Sequence, residues 1–107
     1  GCGEGECGAC SIILNGDLIA SCIVPFGYLT DGDNITTIEG MDDSNKIAVA
    51  IRKCFIEGGA IQCGMCTPGM IMAAYVLLSK NDDPTRDEIA EAISGNLCRC
   101  TGYKKII

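Results

Sequence analysis

Cysteine is the residue type in this sequence with the most chemistry to offer. The chain has 107 residues, of which nine are cysteine and none is histidine. Eight cysteines fall by position into two sets of four: the first quartet is Cys2, Cys7, Cys10 and Cys22, and the second quartet is Cys63, Cys66, Cys98 and Cys100. Four thiolates can hold an iron–sulfur cluster or a zinc ion, and thiols can also pair as disulfides. The lack of histidine excludes Ser/His and Cys/His catalytic pairs, His-ligated zinc and Rieske-type clusters built from this chain alone.

The first quartet has the pattern CxxxxCxxC followed by a more distant cysteine, which is the spacing that plant-type ferredoxins use to bind a [2Fe-2S] cluster. Its loop contains three glycines, Gly3, Gly5 and Gly8. Glycine lets backbone N–H groups approach a cluster with no Cβ in the way, and such hydrogen bonds to sulfur offset negative charge and tune the reduction potential. We therefore predict a [2Fe-2S] cluster here, with these glycines as its backbone cradle.

The second quartet lies in two segments that echo each other, IQCGMCTPG and GNLCRCTGY. Cys66 directly precedes Thr67, a predicted helix N-cap, and Cys100 directly precedes Thr101. We expect both cysteine pairs to lie at helix amino termini, where N–H groups and the positive end of the helix dipole stabilise an anionic centre. The prediction is a second [2Fe-2S] cluster.

Other uses of the thiols stay open. Disulfides need an oxidising compartment, whereas the opening GCGEGECGAC has no secretory signal pattern and the number of cysteines is odd. Zinc sites favour two close cysteine pairs, which the second quartet offers, whereas the first quartet places three ligands in one loop. The ninth cysteine, Cys54, falls on an apolar helix stripe and is predicted to pack in the core.

A β-hairpin is predicted beside the first quartet. The expected strands cover residues 11–14, 17–24 and 35–38. Asn15-Gly16 is the residue pair most favoured for a two-residue hairpin turn, because both positions accept a positive φ. Pairing across this turn sets Cys10 opposite Ser21 and makes Cys10 and Cys22 diagonal neighbours at the open end of the hairpin.

Helices are predicted to position the second quartet. They are expected to begin at Ser44, at Thr67, at Thr85 and after Gly102. The apolar spacing in the first of them places Ile47, Ile51, Cys54 and Phe55 on its inner face. The second helix is apolar on nearly every side from residue 70 to residue 78, which predicts a central, buried helix.

The net charge and the hydropathy of the sequence argue against two classes of partner, nucleic acids and membranes. Eight Lys and Arg against 14 Asp and Glu give a net charge of −6, which repels phosphate and argues against nucleic acid. The longest apolar run, residues 70–78, is shorter than the roughly 18–20 residues that cross a bilayer, so no membrane association is expected. We expect a cytoplasmic protein, where thiols stay reduced.

Taken together, the segments GCGEGECGAC, QCGMCTPG and GNLCRCTGY resemble the iron–sulfur subunit or domain of the xanthine dehydrogenase and aldehyde oxidoreductase family, the molybdenum hydroxylases. The resemblance spans essentially the whole chain. It implies an α+β fold in which residues 1–40 form a plant-type ferredoxin-like [2Fe-2S] domain, here truncated. Residues 41–107 would form a small four-helix bundle that binds the second [2Fe-2S] cluster.

The resemblance also implies a function and partners. Electrons would leave a molybdenum–pterin centre in a large subunit, pass the second quartet's cluster and then the first quartet's, and reach FAD in a medium subunit of a hetero-oligomer. Gln62 would hydrogen-bond the pterin, and Cys100 would be the ligand nearest to it. Arg99 would either offset cluster charge or pair with a partner subunit. A free-standing two-cluster electron carrier and a structural four-cysteine zinc module remain the alternatives, and no residue set indicates a substrate site.

Overall fold

Asn15 and Gly16 form the tight turn of a β-hairpin, as predicted, and both adopt the left-handed backbone conformation that this turn needs, with φ of 51° and 89°. The computed structural model, which describes residues 1–107, places strand β1 at Ser11–Leu14 and strand β2 at Asp17–Ala20. Leu14 pairs with Asp17 across the turn, which is the predicted register. Strand β2 ends earlier than predicted, because residues 21–23 turn into a short 3-10 helix.

Strand β3, Ile35–Thr36, pairs with the other edge of β1 and completes an antiparallel sheet of order β2-β1-β3. It is shorter than the predicted 35–38, because residues 38–40 turn into a 3-10 helix. The Asn15 side chain holds the approach to β3. Its amide donates to Asp33 Oδ1 at 2.8 Å, and its oxygen accepts from the Asn34 N–H at 2.9 Å. The hairpin turn therefore also orders the loop before β3.

Three helices follow the sheet: α1 at Lys46–Glu57, α2 at Thr67–Lys80 and α3 at Arg86–Ala92. Asn45, rather than the predicted Ser44, caps α1, since its side-chain oxygen accepts from the first free N–H groups of the helix. Helix α3 opens with the predicted capping box, in which Thr85 and Glu88 satisfy each other's backbone N–H groups. Local capping chemistry therefore fixes where two of the three helices begin.

Helix α2 is the centre of the molecule, as predicted. It buries five consecutive residues in its first half, Gly69, Met70, Ile71, Met72 and Ala73. One side of α2 packs with the sheet in a cluster of Ile13, Met41, Ala48 and Met72. The other side packs with the remaining helices in a cluster that includes Ile51, Phe55, Met70, Ile71 and Ile93. The β-rich part and the helical part are thus joined through one helix.

The prediction that Cys54 packs in the core is wrong. Helix α1 buries Ala48, Ile51 and Phe55, whereas Cys54 is exposed and Ile47 is 37% exposed. The buried positions therefore follow i, i+3 and i+7 from Ala48, so the inner face begins one residue later than the apolar pattern suggested. Alanine carries a weak hydropathy signal, and for that reason the pattern favoured Ile47 over Ala48.

The structure also differs from the predicted four-helix bundle, because no helix follows Gly102. The N–H groups of Ile106 and Ile107 both donate to the Tyr103 carbonyl oxygen, which makes a turn. The three helices leave an apolar groove of about 460 Å³ between them, lined by residues that include Ile47, Cys54, Leu77, Leu78, Ile89 and Ile106. None of the three helices combines the length and the apolar character needed to cross a membrane.

Candidate metal centres

The first quartet forms two thiol pairs, held by the loop before β1 and the turn after β2. The Cys2 thiol lies against Cys7, and the Cys10 thiol lies against Cys22. The Ser21 N–H donates to the Cys10 carbonyl oxygen at 3.3 Å, which continues the hairpin register and brings Cys10 and Cys22 together as predicted. Cys22 also interacts electrostatically with Cys2, so the four sulfurs form one group.

Backbone N–H groups of the loop point at these sulfurs. Those of Glu4 and Glu6 donate to Cys2 Sγ at 3.3 and 3.4 Å, and that of Gly5 donates to Cys22 Sγ at 3.3 Å. The Glu4 N–H, with the other backbone donors, lowers the pKa of Cys2 to about 6. The loop therefore favours the thiolate, which is the form that binds metal.

In the Cys10 and Cys22 pair of the first quartet, one thiol has a lowered pKa and the other a raised pKa. The backbone N–H of Cys22 lowers the pKa of Cys10, whereas the hydrogen bond between the two thiols raises the pKa of Cys22. The two thiols are therefore coupled, and loss of the proton from one changes the pKa of the other. Both thiols would lose their protons on binding a metal.

The second quartet also forms two pairs. Cys63 Sγ and Cys100 Sγ lie 3.5 Å apart, and the Cys66 thiol lies against Cys98. Cys63 and Cys98 interact electrostatically, so these sulfurs too form one group. Burial, aided by the neighbouring Cys98 thiol, raises the pKa of Cys66 to about 11, while the Met65 N–H lowers the pKa of Cys63. Cys66 lies at a helix amino terminus as predicted: it occupies the N-cap position of α2 in place of the predicted Thr67, although its side chain makes no capping bond. Cys100 does not, because no helix follows it.

Thr101 and Tyr103 enclose Cys98 in a ring of hydrogen bonds. Thr101 Oγ1 lies 3.0 Å from Cys98 Sγ, and the Thr101 N–H reaches the same sulfur at 3.5 Å. The Tyr103 N–H donates to Thr101 Oγ1 at 3.2 Å, and the Cys98 N–H donates to the Tyr103 hydroxyl at 2.9 Å. The Thr101 hydroxyl is the main cause that lowers the pKa of Cys98 to about 7.

Asn96 joins the two quartets. Its side chain is buried and donates to the Gly8 carbonyl oxygen at 2.9 Å and to Ser11 Oγ at 3.2 Å. A Cβ on Gly8 would overlap the Asn96 amide, and a Cβ on Gly69 would overlap the Gly8 carbonyl oxygen. Three segments therefore meet at one point: the first-quartet loop, the start of α2 and the residues before Cys98. This point has no room for a side chain on Gly8 or on Gly69.

The residue after Asn96 adds a direct connection between the quartets. The Leu97 N–H donates to the Cys7 carbonyl oxygen at 2.9 Å, and Leu97 is bonded to Cys98. Both quartets also open onto one cavity of about 410 Å³, lined by Cys2 and Cys7 from the first and by all four cysteines of the second. The two thiol sets therefore face each other across a short gap, with Leu97 at its edge.

The residues present fit a pair of two-iron clusters. In each quartet the thiols lie in two pairs. A [2Fe-2S] cluster takes two thiolates on each of its two irons. The Thr67 hydroxyl oxygen, which follows Cys66 in the chain, is buried with no hydrogen-bond partner in the chain.

Gln62 and Arg99 flank the second quartet. Both are exposed, and neither makes a hydrogen bond or ion pair within the chain.

Sequence reasoning missed four residues that build the site: Asn96, Leu97, Thr101 as a sulfur donor, and Tyr103. Tyr103 has a φ of 65°, which is unusual outside glycine. Thr101 was indicated only by the Cys-Thr pair that both cysteine motifs of the second quartet share.

A comparison with family models matches residues 37–107 to the [2Fe-2S] binding domain. Over 106 residues, 99% of the chain, the sequence is 55% identical to the nicotinate dehydrogenase small FeS subunit of Eubacterium barkeri, and covers 66% of that protein. It is 42% identical to the xanthine dehydrogenase iron-sulfur-binding subunit of Escherichia coli over 100% of this chain, and covers 67% of that protein. The chain thus spans about two thirds of the length of these two relatives.

Two solved structures share the fold. Quinoline 2-oxidoreductase from Pseudomonas putida 86 matches with a TM-score of 0.87 and 41% identity, over 99% of this chain and 64% of the other. The aldehyde oxidoreductase from Desulfovibrio gigas matches with a TM-score of 0.89 and 40% identity, over 99% of this chain and 12% of the other. In the second case the similar part is a small portion of a much longer chain.

Proposed function

The chain belongs to the [2Fe-2S] binding domain family, and from that premise we propose that it is the iron–sulfur electron-transfer subunit of a molybdenum hydroxylase. A [2Fe-2S] cluster, when bound, takes up and releases single electrons. The first quartet would hold one such cluster and the second quartet another. We assign residues 1–40 to a ferredoxin-like part with Gly3, Gly5 and Gly8 in its cluster loop, and residues 41–107 to a helical part.

The hydrogen bond from the Leu97 N–H to the Cys7 carbonyl oxygen carries this proposal, because it links a first-quartet residue to the neighbour of Cys98. A relay needs two centres at a fixed, short separation. The buried Asn96 amide and the close approach of Gly8 and Gly69 hold the ligand loops in one relative position. The chain's own task is therefore to position two sulfur sets and to supply hydrogen bonds to them.

Partner subunits would supply a molybdopterin centre and FAD. Apolar side chains are exposed beside Gln62 and the second quartet: Met65 is 71% exposed, Leu97 57% and Ile61 38%. Such a surface favours a permanent subunit contact over a freely diffusing carrier, whose surface around the cluster would be charged. We place the molybdopterin subunit on this face, with Gln62 hydrogen-bonding the pterin and Cys100 as the nearest ligand. We place the complex in the cytoplasm, where the thiols stay reduced until clusters assemble.

Anaerobic purification of the native protein with its partners tests the proposal. We expect about four iron and four acid-labile sulfide per chain, paramagnetic signals after dithionite reduction, and molybdopterin and FAD in copurifying larger chains. About two zinc per chain and no visible absorbance would establish the zinc module instead. Full iron content in an isolated, monomeric chain would establish the free-standing carrier.

A further inference from the structure

We propose that the Thr101 hydroxyl is a hydrogen-bond donor that raises the reduction potential of the centre held by the second quartet, an inference that rests on the proposed function. Thr101 Oγ1 lies 3.0 Å from Cys98 Sγ, within hydrogen-bond distance for sulfur. The Thr101 N–H adds a longer contact of 3.5 Å to the same sulfur. Cys98 therefore receives two donors from one residue.

The direction of the hydroxyl bond follows from its surroundings. The Tyr103 N–H donates to Thr101 Oγ1 at 3.2 Å, so this oxygen already accepts one hydrogen bond. A cysteine that ligates metal is a thiolate and has no proton to donate. The Thr101 proton is then free to point at the Cys98 sulfur, which is the only acceptor that the structure gives it.

Tyr103 holds this arrangement in place. Its backbone has a φ of 65°, a left-handed conformation that non-glycine residues rarely adopt. In this conformation its N–H faces Thr101 Oγ1, while its hydroxyl accepts from the Cys98 N–H at 2.9 Å. Tyr103 is thus a positioning residue, because it acts on the sulfur through Thr101 and through the Cys98 backbone.

The effect on potential follows from charge. Reduction adds an electron to an already negative centre, so a hydrogen bond to a ligand sulfur stabilises the reduced form more than the oxidised form. Sulfurs of the first quartet, in Cys2, Cys7 and Cys22, accept from backbone N–H groups that side-chain substitution leaves in place. At Cys98 the shorter of the two contacts comes from a side chain, which makes its contribution separable by mutation.

The test is a redox titration of the native complex, followed by electron paramagnetic resonance, for wild type, Thr101→Val and Thr101→Ser. We expect Thr101→Val to disfavour reduction of one centre three- to tenfold, which is about 30 to 60 mV at 59 mV per decade. The other centre should keep its potential and serves as an internal control. Thr101→Ser keeps the hydroxyl and should restore the wild-type value.

Wild-type potentials in Thr101→Val would overturn the inference. Should Thr101→Val lose iron, Thr101→Ala removes the hydroxyl without a branched side chain and allows the same comparison. Loss of iron in both, with an intact Thr101→Ser protein, would show that the hydroxyl retains the centre rather than tunes it, which also overturns the inference. Absence of any iron–sulfur signal in wild type would instead refute the proposed function.

A second variant addresses Tyr103. Tyr103→Phe removes the acceptor for the Cys98 N–H but leaves the Tyr103 N–H on Thr101. We expect the same centre to shift to lower potential by a smaller factor than in Thr101→Val, with unchanged iron content. An unchanged potential would exclude the Tyr103 hydroxyl from the positioning role and leave only the Tyr103 N–H.

Discussion

The backbone N–H of Leu97 donates a hydrogen bond of 2.9 Å to the carbonyl oxygen of Cys7. These residues are 90 positions apart (97 − 7), yet the bond places the neighbour of Cys98 against a residue of the first quartet. No other backbone hydrogen bond outside the regular elements links the two thiol sets so directly. The geometry of this contact depends on the crossing of Gly8, Gly69 and Asn96, and the first predictions concern that crossing.

Gly69→Ala should destabilise the protein by about 1–3 kcal/mol, because the added methyl group would overlap the Gly8 carbonyl oxygen, a backbone atom that cannot move freely. Alanine in a helix normally stabilises by up to about 1 kcal/mol relative to glycine, so a loss of stability here would be due to the overlap with the Gly8 carbonyl oxygen. Chemical denaturation measures the difference.

Gly95→Ala is the matched control, since a Cβ there would meet nothing within 4 Å. Its free energy of unfolding should stay within about 0.5 kcal/mol of wild type. Equal effects of the two substitutions would contradict the close approach at Gly69.

Asn96→Asp should lower stability, and by more at about pH 8 than at about pH 5. The buried amide donates to the Gly8 carbonyl oxygen, and an ionised carboxylate would face that oxygen with no proton to give. A protonated carboxyl could still donate, so acid should relieve part of the loss. Thermal unfolding of wild type and variant at both pH values measures the effect. An equal loss at the two pH values would argue against the Asn96 amide as the donor.

Cys98→Ser and Cys54→Ser should differ sharply in metal content. Cys98 is buried inside the second quartet, so its loss should remove about half of the bound iron and the signal of one centre. Cys54 is exposed in the groove between the helices, away from both quartets, and its substitution should leave iron content unchanged. Iron analysis and electron paramagnetic resonance of the two variants provide the comparison. Full iron content in Cys98→Ser would disprove its role as a ligand.

Glu88 should contribute stability that is lost in acid. The Thr85 N–H, followed by the Thr85 hydroxyl, holds the pKa of Glu88 below its usual value. A lowered folded-state pKa means that the contribution is complete above the unfolded-state value of about 4.3 and disappears as the pH falls through the folded-state value. Thermal unfolding between about pH 7 and pH 3 should therefore show a smaller decline for Glu88→Gln than for wild type.

Other carboxyl groups with lowered pKa values, such as Asp33 and Asp42, titrate in the same range and affect both proteins equally. The difference between the two curves isolates Glu88. If the stability of wild type and of Glu88→Gln fell equally with pH, the capping box would make no charge-dependent contribution to stability.

The sequence predicted the parts of this structure that local chemistry determines. The Asn15-Gly16 turn fixed the register that brings Cys10 next to Cys22, and the capping box at Thr85 fixed the start of α3. The cysteine spacing also predicted which thiols lie together, whereas their role as cluster ligands stays a prediction. The turn and the capping box depend on residues within a few positions of one another, and the cysteine motifs are short segments that are legible in the sequence.

Features that depend on distant contacts were not predicted. Nothing in the pattern around Asn96 indicates that its amide reaches Gly8, because the two are separated by 88 positions and meet only when α2 brings both segments together. Cys54 was misplaced because a one-residue shift of the helix face follows from packing on α2, not from hydropathy. The left-handed Tyr103 follows a glycine and carries no sequence signal of its own.

The cluster of Ile13, Met41, Ala48 and Met72 has a consequence for any attempt to divide the chain. Its residues lie on both sides of the boundary at residue 40, so cleaving the polypeptide there would expose an apolar face on both fragments. Neither fragment would then retain a complete interior, and they would aggregate or reassociate when expressed apart. The two halves, though distinguishable by composition, should melt in a single cooperative transition.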